Sequence, residues 1–222
     1  MPVIIAVGAV FGVIGAVAER LASVWPSDEP SRRAPGVRTL LLAAGSALAA
    51  GAIGWRSTLP WWATAVHLAI LGLLIVLTAT DLDQRRLPHV VLDPLIVLAV
   101  AFVPFNPAVE PLAALIGAGV AVAFLGVLGL VIRNGVALGD LYLIAPLGLL
   151  LGWPAIFVAI FVAAMLSAVT SVALLALRRV SMKSYIPFGP FLVAGAVITL
   201  LREPGLLGAV AVRLAALLAG NG

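Results

Sequence analysis

Long apolar runs separated by short polar breaks dominate the chain. Uncharged or nearly uncharged stretches cover residues 2–18, 37–54, 59–80, 90–105, 111–132, 139–151, 154–177 and 187–201. Most approach the roughly 17 to 25 residues that an α-helix needs to cross a bilayer. They are continuous rather than alternating, so they read as helices and not as barrel strands. The pattern predicts an all-α, polytopic membrane helix bundle with about eight transmembrane helices. The stretches 90–105 and 139–151 are short and are expected to sit among neighbours or beside thinned bilayer. A last segment, 206–219, carries Arg213 in its middle and is expected to form an amphipathic interfacial helix or a ninth span. The whole chain, 1–222, reads as one integral-membrane domain: a core over 37–201, a short hydrophilic linker over 19–36 containing Pro26, Pro30 and Pro35, and a tail over 202–222.

Composition agrees with a bilayer protein. Hydrophobic residues make up 64% and charged residues 10%, with a mean hydropathy of +1.24; a soluble domain carries roughly 25% charged residues. The few charges are placed unevenly. One set of alternate loops holds Arg20, Arg32, Arg33, Arg38, Arg85, Arg86, Arg133, Arg178, Arg179 and Lys183, and the other holds Arg56 and Arg202. Such a bias fixes topology, with basic loops in the cytoplasm and the N-terminus outside. It accounts for the basic net charge of +4 without a nucleic-acid partner, because the cations lie where they meet anionic headgroups. The first apolar stretch ends in Glu19-Arg20 with no basic residue before it, and reads as a retained membrane helix rather than a cleaved signal. There is no cysteine, which removes disulfides and cysteine-ligated zinc.

Against this background the carboxylates stand out. Asp81 and Asp83 follow on the uncharged run 59–80, and Asp140 opens the run 139–151. By the loop count Asp81 and Asp140 share one face and one depth. Ionisable groups at membrane depth are costly and mark function by default, although an acid at headgroup level also serves simply to close a helix. Two neighbouring acids do not both ionise easily, so that one holds a proton while the other activates water against a peptide carbonyl. Gly139, just before Asp140, permits close approach of a backbone or substrate. Asp83 lies two residues from Asp81, nearly opposite on a helix.

Three ordered motifs give the chain a resemblance to the type IV prepilin leader peptidases, a family of intramembrane aspartyl proteases. Asp81-Leu82-Asp83-Gln84-Arg85-Arg86-Leu87-Pro88 is similar to the family's pattern of Asp, six residues and Pro. Leu138-Gly139-Asp140 is similar to its Gly-x-Gly-Asp motif. Ile186-Pro187-Phe188-Gly189-Pro190-Phe191 resembles its Pro-Phe-Gly-Pro segment. The resemblance implies that Asp81 and Asp140 are catalytic, with Gly139, Asp83, Pro88, Pro187, Gly189 and Pro190 supporting the site. It implies no metal and no cofactor, a type IV prepilin or pseudopilin precursor as partner beside the lipid bilayer, and a place in the cytoplasmic membrane. The expected reaction is removal of a short basic leader after a Gly, at the cytoplasmic face.

Three departures accompany the match. Ala137 replaces the first Gly of Gly-x-Gly-Asp, Tyr142 stands where a Lys commonly follows the Asp by two, and His89 stands after Pro88 where an Asp is common. Bifunctional members carry a larger cytoplasmic domain after the first helix, often with paired cysteines, which is associated with N-methylation of the product. Here the linker is short and cysteine absent, so the resemblance implies peptidase activity without that domain and argues against methyltransferase activity. Two other functions fit an intramembrane acid: a transporter or proton pathway, which strings polar residues across the bilayer, and a non-catalytic assembly subunit. Among the remaining polar residues, His67 reads as a hydrogen-bonded interior residue. Asp93 and Pro94 read either as cavity lining or, for Asp93, as a partner of Arg85 or Arg86. Glu110 and Glu203 read as loop charges on the outer side.

Overall fold

A computed structural model describes residues 2–26, 31–131, 137–179, 181 and 186–202. They form eight helices: α1 (Pro2–Ala22), α2 (Val37–Arg56), α3 (Trp61–Gln84), α4 (His89–Phe102), α5 (Pro111–Val131), α6 (Leu138–Leu151), α7 (Ala155–Ala176) and α8 (Gly189–Leu200). A 3-10 turn, Val103–Phe105, extends α4. No strand occurs among the described residues. Helices α1, α2, α3, α5 and α7 are long and apolar enough to cross a membrane, while α4, α6 and α8 are shorter apolar helices. Large apolar side chains such as Val3, Leu40, Leu48, Leu130 and Val172 lie fully on the outside. In water that surface would aggregate; in a bilayer it is the lipid face of a multi-pass membrane protein. The expected C-terminal helix or ninth span, with Arg213, and also Arg133, Lys183 and Glu203, lie outside the described residues.

Helix α3 organises the bundle. It is apolar around its circumference, and such a helix is buried on more than one side. Leu71, Ile75 and Ala79 pack with Phe11 and Ala18 of α1 and Ala50 and Ile53 of α2. Ile70, Leu74 and Leu77 pack into the larger core with Leu92 and Leu95 of α4, Leu143 and Leu147 of α6, Ile156 of α7 and Leu192 of α8. Glycines bring α5 and α6 into close approach. A Cβ on Gly117 would lie 2.6 Å from the Gly152 carbonyl carbon, and one on Gly148 2.5 Å from Ala118 Cα. The two backbones meet there as small-residue helix interfaces do. Gly119, by contrast, faces open space, so it takes no part in this contact.

Two helix ends differ from the sequence reading. The apolar run ends at Thr80, yet α3 continues to Gln84, where Arg85 adopts the left-handed conformation (φ 55°, ψ 40°) and its N–H bonds the Asp81 carbonyl at 2.9 Å. Asp81 and Asp83 therefore lie within the last helical turn. At the other site segment, α8 starts at Gly189, which places Pro190 in the first turn, where a missing N–H costs nothing. Pro187 precedes the helix, so helix-start preference accounts for Pro190 and not for Pro187.

Candidate active site

The last turn of α3 meets the first turns of α6 and α8. Asp81 is 6% exposed and Asp140 3%, so neither is a solvated loop acid. Gly189, the first residue of α8, lies between them. A Cβ built on it would be 2.6 Å from Asp81 Oδ2 and 3.5 Å from Asp140 Oδ1. Both carboxylates thus converge on one point, and only a residue without a side chain fits beside them.

Local chain geometry explains how each acid is held. Ala137 is the N-cap of α6, and its backbone N–H faces the carboxylate of Asp140 three residues on. This is the back-reaching half of a capping box, so Asp140 also serves helix α6. The Gly189 N–H faces Asp81 from the start of α8. One oxygen of each acid, Asp81 Oδ2 and Asp140 Oδ2, is buried and has no hydrogen-bond partner within the protein. An unsatisfied buried acceptor costs about 1–3 kcal/mol, and native structures tolerate few of them outside functional sites.

Beside the acids is a cavity of about 620 Å³ lined by Pro26, Asp81, Arg85, Arg86, Leu87, Pro88, His89, Ala137, Leu138, Gly139, Asp140 and Tyr142. Pro88 caps α4 and starts it directly after the α3–α4 turn. Leu87 of that turn presses on α6: a Cβ on Gly139 would lie 3.0 Å from Leu87 Cδ1. Gly139 thus lies close against the Leu87 side chain.

Asp83 points away from the pair, as its spacing predicts. It forms an ion pair with Arg33, lies 3.7 Å from Arg38, and accepts a 2.9 Å hydrogen bond from the Ser31 hydroxyl. Gln84 donates to the Ala22 carbonyl and Arg20 to that of Arg33. The polar linker is in this way tied to the end of α3, with Pro26 brought to the cavity wall, a neighbour that no spacing in the sequence announces. Asp93 is exposed and bonds His89 Nδ1 at 3.1 Å; neither alternative read from the sequence, cavity lining or a pair with Arg85 or Arg86, is what it does. His67 is buried, its Nδ1 2.8 Å from the Ala63 carbonyl and its ring edge-on to Phe102, an interior residue as expected. No group of three His, Cys, Asp or Glu side chains able to hold a metal occurs among the described residues.

Residues 67–172, which include both acids, match the type IV leader peptidase family. The prepilin leader peptidase/N-methyltransferase of Aeromonas salmonicida (strain A449) is 32% identical over 149 residues, 64% of this chain and 50% of that protein. The protein of the same description from Pseudomonas aeruginosa is 32% identical over 178 residues, 77% of this chain and 60% of its own length. That from Bacillus subtilis (strain 168) is 29% identical over 138 residues, 59% and 53% respectively. The chain spans about half the length of these curated relatives. No solved structure matches it. Taken with the three motifs, these matches make the chain a member of the type IV leader peptidase family.

Proposed function

We propose that the chain is an intramembrane aspartyl endopeptidase that removes the basic leader from type IV prepilin-like precursors, with Asp81 and Asp140 as its catalytic pair. The observation that carries this is the convergence of two buried carboxylates beside Gly189, each with an unpartnered oxygen, in a cavity at one end of the bundle. Water drawn from that cavity attacks the scissile carbonyl. The ionised member of the pair takes the proton from water, and the protonated member donates one to the carbonyl oxygen, then recovers it as the tetrahedral intermediate collapses and the leaving amine is protonated by its partner. The pair acts as one titrating unit.

The bias of basic loops supports a cytoplasmic position for this end and an outside N-terminus in the cytoplasmic membrane. The substrate's apolar helix would then lie in the bilayer beside the bundle, with its leader in the cytoplasm and the junction at the acids. The proposal covers cleavage alone, because α1 and α2 are joined by a short linker and the chain has no cysteine, whereas in the resemblance methylation goes with a larger cysteine-bearing domain at that place. Co-expression with a candidate prepilin tests the reading. Asp81→Asn and Asp140→Asn are each expected to abolish processing while the protein still accumulates in the membrane; processing that survives both singly refutes the aspartyl mechanism.

A further inference from the structure

Two of the departures from the family motifs, far apart in sequence, touch in space. His89, the first residue of α4, and Tyr142, in the first turns of α6, meet edge to face with ring centroids 5.3 Å apart and an interplanar angle of 76°. His89 is oriented by Asp93, one helical turn on, through the 3.1 Å contact to Nδ1. Both rings line the mouth of the cavity that holds the acids. Deeper in the bundle α4 and α6 are fixed by Leu92, Leu95, Leu143 and Leu147. Above that level their first turns border the cavity, where Leu87, of the turn before α4, lies against Gly139 and the His89 ring meets Tyr142. Asp140 lies between Gly139 and Tyr142 in the sequence, so these two contacts flank it.

We infer that His89 and Tyr142 form a positioning latch for the catalytic pair. Their ring contact fastens the α3–α4 turn to the start of α6 and so holds the end of α3, with Asp81, at its working distance from Asp140. The inference rests on the aspartyl reading above. An edge-to-face pair adds specific geometry beyond the area it buries, and misplacing a catalytic group by about 1 Å costs on the order of 100-fold in rate. Loss of the latch, which loosens the first turns without unseating the core, is expected to cost roughly tenfold in kcat, an intermediate value on that scale. As a latch the rings act on the placement of the acids and not on substrate binding, so KM is expected to stay near that of the unaltered protein.

The test uses the full chain in proteoliposomes with a purified precursor bearing a basic leader, a Gly and an apolar helix. His89→Ala and Tyr142→Ala are each expected to lower kcat by about tenfold, and the double variant no further, because both remove one contact. Tyr142→Phe keeps the ring and recovers most of the lost rate. His89→Asp combined with Tyr142→Lys places an ion pair across the same gap and recovers rate that either substitution alone loses. The inference is overturned by single variants with unaltered rate, by additive losses with a raised KM, which would make the rings substrate contacts, or by a charge pair no better than its two halves. Both side chains are substantially exposed, so the alanine variants should fold, and thermal unfolding in detergent checks that they do. Asp81→Asn and Asp140→Asn, run in parallel, separate the two failures. If they remain active the aspartyl reading fails, and if they are dead while the ring variants behave as the unaltered protein, the latch alone fails.

Discussion

Adding one methyl group at Gly189 gives the sharpest test of the site geometry. Gly189→Ala places a Cβ 2.6 Å from Asp81 Oδ2 and 3.4 Å from its Cγ. Ordinary contact begins near 3.4 Å, so the carboxylate oxygen must retreat by roughly 0.8 Å, a displacement on the scale that costs about 100-fold when it befalls a reacting group. Asp81 has little room to give, since it is buried in the bundle. Overpacking costs about 1–3 kcal/mol, and replacing Gly within the helix returns up to about 1 kcal/mol. Stability should thus fall by no more than about 3 kcal/mol while kcat for a reconstituted precursor falls about 100-fold. Precursor cleavage on gels, paired with thermal unfolding in detergent, reads the two effects separately. A Gly189→Ala protein that cleaves within threefold of the unaltered rate would refute the placement of Asp81, Asp140 and Gly189 about one point.

Two other substitutions should separate from this one by the ratio of stability to rate. Asp83→Asn removes the charge that faces Arg33 and Arg38 but keeps an acceptor for Ser31; both arginines are partly exposed, which screens the loss, so a fall of about 1–2 kcal/mol in unfolding free energy is expected, with processing far less affected than in Asp81→Asn. Gly148→Ala forces α5 and α6 apart at Ala118 and is expected to destabilise by about 1–3 kcal/mol, seen as a lowered melting temperature, with any loss of cleavage following the loss of folded protein.

The helices were legible because a bilayer makes the rule simple: an uncharged run of sufficient length has to satisfy its own backbone. Their ends were less so, because hydropathy marks where lipid contact stops and not where hydrogen bonding stops. Thr80 closes the apolar run, but α3 carries Asp81 to Gln84 through the same ladder until Arg85 turns left-handed. The pairing of Asp81 with Asp140 was legible in part. Charge bias put both acids at one end, and the motifs named them, but their approach depends on α4 and α8, each of which packs against both α3 and α6, and single-sequence periodicity does not specify that packing. Patterns also carry no partner. Gly117 and Gly119 look alike in the sequence, and only the first meets another backbone. His89 and Tyr142 read as separate departures because nothing local links positions on two helices with a third between them.

The lengths of the helices around the site bear on how water reaches it. Helix α3, with 24 residues, extends about 36 Å, whereas α4 and α6 with 14 and α8 with 12 extend only about 18–21 Å. The hydrocarbon core is about 30 Å thick. All three short helices begin where α3 ends, around the cavity that Arg85 and Arg86 also border. The cavity at this end has Arg85, Arg86 and His89 among its walls, a polar recess from which hydrolytic water need not cross lipid. A chain without native cysteine lets a single introduced thiol report this. Ala137→Cys, exposed at the cavity, should react with a membrane-impermeant maleimide in inverted membrane vesicles and resist it in sealed right-side-out ones. Thr58→Cys, exposed in the α2–α3 connection at the opposite end, should do the reverse. The opposite pattern at both positions would invert the topology drawn from the basic loops. An Ala137→Cys thiol that no aqueous reagent reaches from either side would remove the route for water, and hydrolysis at this pair of acids with it.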